Sequence, residues 1–267
     1  MKTTTTLLFD AGNSRFKWAL ARDGRLGRQQ ALALEELPRF AAWLRRAPAF
    51  DRAMGVNVAG TRLGIQLQAA LRAARRPAPQ FILSSAQAAG VTNGYARPAQ
   101  LGADRWAALV GAWHRAGCRR AVCAASIGTA LTLDVVDRDG YHRGGLIAPG
   151  PALMLEALLK RTADIAPRAA ARVARPRRRA GAHALVPPLA DATRAAIEAG
   201  CLTAAAAFID RTLEQLARRL GTRPLLFVTG GAADAVMTHL RSAHRPCEDL
   251  VLRGVAVLGA VPIRGRA

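Results

Sequence analysis

Leu7-Leu8-Phe9-Asp10-Ala11-Gly12-Asn13-Ser14-Arg15-Phe16-Lys17-Trp18-Ala19-Leu20 reads as strand, turn, strand. Leu7, Leu8 and Phe9 suit a buried strand, and Asp10-Ala11-Gly12-Asn13 interrupts it with residues that tolerate tight turns and expose backbone donors. Phe16, Trp18 and Leu20 then resume at period two, with Arg15 and Lys17 on the opposite face. Such a turn can offer a carboxylate to a metal, and N–H groups and a lysine to phosphate oxygens. Taken alone, the same residues serve equally well as a β-hairpin whose Asp and Asn are ordinary turn formers.

The surrounding composition narrows the class. With 267 residues, of which 51% are hydrophobic, the chain can bury a substantial core as one large or two ordinary domains. No apolar run reaches the roughly 18 residues needed to span a bilayer. Met1-Lys2 and the four threonines after it lack the apolar core and cleavage site of a secretory signal, so the expectation is a cytoplasmic protein with no membrane partner. Cys118, Cys123, Cys201 and Cys247 show neither CxxC pairing nor zinc spacing and read as buried thiols. The formal charge of +21, from 39 Lys+Arg against 18 Asp+Glu, raises a polyanion as partner. Yet the lysines are Lys2, Lys17 and Lys160, so the excess is arginine in an alanine-rich chain and fits codon bias as well as selection for binding. The densest basic run, 168–179, lacks interleaved aromatics and reads as a solvated loop first, a polyanion contact second.

Along the chain, helical periodicity at 37–46 and 63–75 alternates with strands at 53–58 and 81–83, which argues for an α/β domain. A loop with Gly90, Asn93, Gly94 and Pro98 leads into an alanine-rich helix ending near Gly117. The plan then restarts: strand 121–125, turn Ser126-Ile127-Gly128-Thr129, strand 130–136, hairpin turn 137–140 and strand 141–147. Pro151 opens a helix to Lys160, and a long helix at 193–220 carries a potential break at Gly200. Strand 225–229 ends in Gly230-Gly231 before a helix at 232–240, an arrangement that lets backbone approach a phosphate or nucleoside. These features divide the chain into 1–120 and 121–267.

Glycine turns at strand ends, two of them in duplicated hairpins, resemble the sugar kinase, Hsp70 and actin superfamily, in which ATP lies between two related actin-like, ribonuclease H-like domains. More closely, the sequence resembles the type III pantothenate kinases, a family that includes the Bvg accessory factor. The resemblance runs nearly end to end. It is carried by Asp10 to Lys17, Asn93-Gly94-Tyr95 with Pro98, Leu101-Gly102-Ala103-Asp104-Arg105-Trp106, Gly128-Thr129-Ala130-Leu131-Thr132-Leu133-Asp134, Gly144-Gly145-Leu146-Ile147-Ala148-Pro149-Gly150, Thr193 with Ala196-Ile197 and Gly200, and Thr229-Gly230-Gly231.

The resemblance implies phosphorylation of pantothenate by ATP to 4′-phosphopantothenate, towards coenzyme A. By the same resemblance Asp10 holds Mg²⁺, and Ala11, Gly12, Asn13, Ser14, Arg15, Phe16 and Lys17 grip the ATP phosphates, with Thr129, Gly230 and Gly231 completing the nucleotide site. Asp104 is the proton acceptor for the pantothenate hydroxyl, and Arg105 meets the substrate carboxylate. Tyr95, Gly102 and Ala103 line the pocket, and Thr193 reaches it from the partner subunit of a homodimer. As isolated residues, Asp104 would be a helix N-cap, Arg105 an exposed first-turn arginine, Tyr95 a loop aromatic, Thr193 a cap and Thr129 a strand threonine. Asp134 and Asp137 read as strand and turn residues.

One position departs from the family. Ser126 stands where the second phosphate motif has an aspartate belonging to a K⁺ or ammonium site, and a neutral hydroxyl is a much weaker cation ligand than a carboxylate. Two other functions compete with pantothenate phosphorylation. One is a regulatory accessory factor that contacts nucleic acid or an acidic regulator through the basic run, although no DNA-reading module is visible. The other is a kinase acting on another small hydroxylated substrate.

Overall fold

The structure is a computed structural model that describes residues 4–22, 25–161 and 189–260. The basic run at 168–179 lies outside the described residues. The first sheet is built on β1 (Thr5–Ala11), with antiparallel β2 (Arg15–Arg22) on one side; β3 (Arg25–Leu26) and β4 (Gln30–Ala33) both pair with β2. After α1 (Leu37–Arg46), β5 (Arg52–Asn57) pairs in parallel with the other side of β1. Then α2 (Thr61–Ala73) leads to β6 (Pro79–Phe81), parallel to β5. Short strands β7 (Gln87–Ala88) and β8 (Val91–Thr92) precede α3 (Ala103–Arg115).

The second sheet repeats this order. Strands β9 (Val122–Ile127), β10 (Ala130–Val136) and β11 (His142–Pro149) form an antiparallel meander. After α4 (Pro151–Arg161) and α5 (Thr193–Leu220), β12 (Leu225–Thr229) pairs in parallel with β9. Then α6 (Ala233–Met237), β13 (His244–Pro246) and α7 (Leu250–Leu258) close the described chain, with β13 parallel to β12.

Strand alternation sorts the side chains into layers. On the outer face of the first sheet, Leu7, Phe9, Phe16 and Trp18 pack with Phe40 and Leu44 of α1 and with Leu63 and Leu67 of α2. On the second sheet's outer face, Ile127, Leu131, Leu133 and Val135 meet Ala205, Ile209 and Leu213 of α5. Between the sheets lie α3 and α7, packed on Leu8, Met54 and Val56 from one side and Val122, Ala124 and Val136 from the other. The two helices cross at backbone contact: a Cβ on Gly254 would sit 1.7 Å from the Ala107 carbonyl oxygen, and one on Gly111 2.6 Å from that of Leu250. Only glycine permits so close an approach.

Several elements differ from the sequence reading for local reasons. Strand β9 extends through Ser126, which pairs with Thr132 on one side and Thr229 on the other, so Ser126 is a strand residue rather than a turn residue. Helix α5 runs unbroken through Gly200; burial of Cys201, Ala205, Ala206, Ile209 and Leu213 outweighs the cost of about 1 kcal/mol for a helical glycine. Helix α7 was invisible to periodicity because it is packed on several sides and shows no polar stripe. Cys123, Cys201 and Cys247 are buried, but Cys118, in the turn after α3, is exposed, which corrects the expectation of four buried thiols. Among the described residues, no helix is long and apolar enough to cross a membrane.

Candidate active site

The glycine turns converge at one end of the two sheets. The β1–β2 turn is closed by a hydrogen bond from the Gly12 N–H to the Arg15 carbonyl (3.1 Å), which leaves Asn13, Ser14 and Arg15 exposed. From this turn Ser14 Oγ reaches Thr129 Oγ1 on the β9–β10 turn at 2.7 Å. The Arg15 guanidinium lies beside Gly231, where a Cβ would be 3.6 Å from its Nη1. The second turn is held by the Gly150 N–H donating to the Thr129 carbonyl at 2.9 Å. Ala11 and Phe16 point the other way, into the outer core, so only their backbone is available to a nucleotide.

Asp10 is the last residue but one of β1 and has its side chain in the interior, at 6% residue exposure. It lies opposite Lys17 in the hairpin register, and the Lys17 Nζ to Asp10 Oδ2 distance is 3.9 Å. Oδ1 is buried without a hydrogen-bond partner. Burial pushes the Asp10 carboxyl up to about 6, opposed by Lys17 and reinforced by the charge of Asp104. An orphaned, desolvated carboxylate oxygen is a poor feature for stability and a good one for a hard cation. Among the described residues no group of three or more His, Cys, Asp or Glu could cage a metal. Mg²⁺ suits such a site, because it is commonly held by one or two carboxylates together with waters and phosphates.

Helix α3 begins at Ala103 with Gly102 as its cap residue, so Asp104 stands in the first turn. This corrects the N-cap alternative for Asp104: its Oδ1 accepts from the N–H of the adjacent Arg105 (2.8 Å). Burial raises the Asp104 carboxyl above the usual range, against the pull of the Arg105 N–H and guanidinium. A raised pKa makes it a better proton acceptor.

Arg105 is buried, at 8% exposure, rather than an exposed first-turn arginine. Its Nε and Nη2 donate to the two oxygens of Asp134 at 2.8 and 2.7 Å, and Nη1 donates to the Tyr95 hydroxyl at 3.1 Å. Asp134 also meets His142 Nε2 at 3.1 Å, and the His142 ring stacks on Tyr95 with centroids 5.6 Å apart. Asn93 shapes the loop that carries Tyr95, accepting from the Tyr95 N–H and donating to the carbonyls of Ser85 and Pro98.

Thr193, the first residue of α5, is not among the hydrogen-bond partners of Tyr95, Asp104 or Arg105 within the chain. Ser126 faces the α3 side of its sheet, opposite Thr132 and two residues along β10 from Asp134. The sequence reading missed Asp134 and His142 as site components. The available signal was a lone aspartate breaking the apolar alternation of β10, followed by a histidine at the start of β11.

A family model described as type III pantothenate kinase matches residues 6–215. The chain is 40% identical over 256 residues to the type III pantothenate kinase of Burkholderia mallei, covering 94% of this chain and 98% of that protein. Against the type III pantothenate kinase of Aromatoleum aromaticum the identity is 39% over 254 residues, covering 94% and 96%. Among solved structures, a Baf family protein from Campylobacter jejuni has TM-score 0.50 at 18% identity, covering 93% of this chain and 94% of that one. The ethanolamine utilization protein EutJ from Carboxydothermus hydrogenoformans has TM-score 0.51 at 10% identity, covering 97% and 90%. At such identities the solved structures speak for the fold alone.

Proposed function

The chain belongs to the type III pantothenate kinase family, and from that premise we propose how its residues divide the work of phosphorylating pantothenate with ATP. The reaction gives 4′-phosphopantothenate and leads towards coenzyme A. In our reading, residues 1–120 and 121–267 form the two walls of the nucleotide cleft. The Gly12 to Ser14 turn and Lys17 hold the phosphates from one wall; Thr129 and the Gly230-Gly231 backbone hold the nucleotide from the other. Asp10 would hold Mg²⁺, which would supply charge neutralisation at the phosphates.

The pantothenate hydroxyl oxygen attacks the γ-phosphorus in line, the bond from that phosphorus to the β–γ bridging oxygen breaks, and the hydroxyl proton passes to Asp104. Positioning and charge neutralisation supply most of the catalysis in such a loose transition state. Arg105 donates to the pantothenate carboxylate, while Tyr95, Gly102 and Ala103 shape the pocket. Thr193 completes it from the second subunit of a homodimer, and the enzyme works in the cytoplasm. The observation that carries this reading is the buried Asp10 carboxylate near the end of β1, its Oδ1 without a hydrogen-bond partner, together with the half-buried Asp104 in the first turn of α3, whose charge helps raise the Asp10 carboxyl.

Purified protein incubated with ATP, Mg²⁺ and pantothenate should yield ADP and a phosphomonoester in equal amounts, read by phosphorus NMR. Absence of product would sink the assignment. No structural observation favours the accessory-factor reading or another hydroxylated substrate. Salt-dependent binding to an unrelated DNA duplex would be needed to revive the former.

A further inference from the structure

Three N–H donors of Arg105 are occupied inside the protein: Nε and one on Nη2 by Asp134, and one on Nη1 by Tyr95. Guanidinium groups only donate, so the Tyr95 hydroxyl is the acceptor and its own proton remains for another partner. Asp134 is itself buried, at 1% exposure, and its Oδ1, which accepts from Arg105 Nη2, also meets Nε2 of the fully buried His142. The second glycine of the Gly144-Gly145 pair makes room for this cluster: a Cβ on Gly145 would lie 2.2 Å from Asp134 Oδ1 and 2.5 Å from Arg105 Nη2. A fork-to-fork pair buried this deeply fixes the plane of the guanidinium, and with it the plane of the two remaining donors, one on Nη1 and one on Nη2.

We propose that Asp134 and His142 are positioning residues that set substrate specificity: they hold the Arg105 guanidinium so that its remaining N–H donors, with the Tyr95 phenol, recognise the carboxylate end of pantothenate. This rests on the assignment of that carboxylate to Arg105. Because Asp134 already balances the guanidinium charge, recognition works through directed hydrogen bonds rather than net attraction. A substrate that offers a single neutral oxygen in place of the two carboxylate oxygens therefore leaves a buried donor unsatisfied, which is a basis for rejection.

The test measures kcat and KM for pantothenate and for its neutral analogue with a hydroxymethyl group in place of the carboxylate, in the wild type, Asp134→Asn, His142→Phe and Arg105→Met. Phenylalanine keeps the ring against Tyr95 and removes the hydrogen bond to Asp134. The Asn variant should lower the acid-to-alcohol ratio of kcat/KM by at least about tenfold and the Phe variant by about threefold, through KM rather than kcat. If Asp134→Asn does not fold, His142→Phe carries the test. A ratio unchanged in both positioning variants but lowered in Arg105→Met would overturn the proposal while leaving Arg105 its role. A ratio unchanged in Arg105→Met would remove the underlying assignment and the proposal with it.

Discussion

Ser14 and Thr129 stand 115 residues apart in the chain, and their hydroxyls meet at 2.7 Å. One belongs to the turn after β1 and the other to the turn after β9, so the bond spans the mouth between the two repeated halves. Each hydroxyl has one proton to donate and lone pairs to accept. A phosphate oxygen entering between the turns can replace this mutual bond with two charge-assisted ones.

Thr129→Val is therefore expected to raise KM for ATP by roughly tenfold with little change in KM for pantothenate, because a hydrogen bond to a charged group is lost at an exposed position. Steady-state kinetics with each substrate varied in turn checks this. Equal effects on both substrates would show that Thr129 acts on the fold rather than on the nucleotide.

Asp10 offers a prediction about stability. Its folded pKa of about 6 lies above the unfolded value of 3.8, so protonation favours the folded state. That contribution is fully present below the unfolded value and is lost as pH rises through about 6. Asp10→Asn should accordingly stabilise the ligand-free protein at pH 7.5, by up to about 3 kcal/mol, while abolishing turnover. The gain should fade as melts are repeated towards pH 4. A variant less stable than the wild type at pH 7.5 would contradict it.

Asp104→Asn keeps an oxygen for the Arg105 N–H but cannot accept the substrate proton, so turnover should vanish while pantothenate binding, measured calorimetrically, survives. Near-normal turnover would reduce Asp104 to a helix-end residue. The same variant tests the role of Thr193. If each pocket combines Asp104 of one subunit with Thr193 of the other, mixing inactive Asp104→Asn and Thr193 variants in equal amounts should restore about a quarter of wild-type activity, since half the dimers are mixed and each has one intact site of two. No recovery after confirmed subunit exchange would place the pocket within one chain.

Ser126 faces the α3 side of the second sheet with a neutral hydroxyl at the position where the family resemblance implies a carboxylate. Activity should depend weakly on K⁺ or ammonium, and Ser126→Asp should strengthen that dependence. Assays in sodium, potassium and ammonium chloride at constant ionic strength distinguish the outcomes. Strong K⁺ activation of the wild type would mean that other oxygens complete a cation site.

The opening hairpin, helix α1 and strand β10 were legible because each combines a clear hydrophobic period with turn residues at its ends. The end of β9 was not, since pairing on both sides extends a strand through residues that read locally as a turn. Asp10 and Asp104 could be picked out by their motifs, but their coupling could not, because only the fold brings the end of β1 towards the start of α3. Asp134 and His142 were opaque for the same reason. Their partner Arg105 comes from another element, and nothing at 134 or 142 announces it.

The packing of α7 against α3 bears on how the polypeptide is made. During synthesis the first sheet emerges long before residues 250–258, yet Leu8, Met54 and Val56 on its inner face are covered by the α3–α7 layer. Until residues 250–258 emerge, the part of this face that α7 covers stays wet, and the amino-terminal half remains an unfinished surface that a chaperone can hold. Burial of that face thus waits on residues about 200 positions further along the chain: a message truncated before Leu250 yields a product without the helix that seats Gly254 against Ala107.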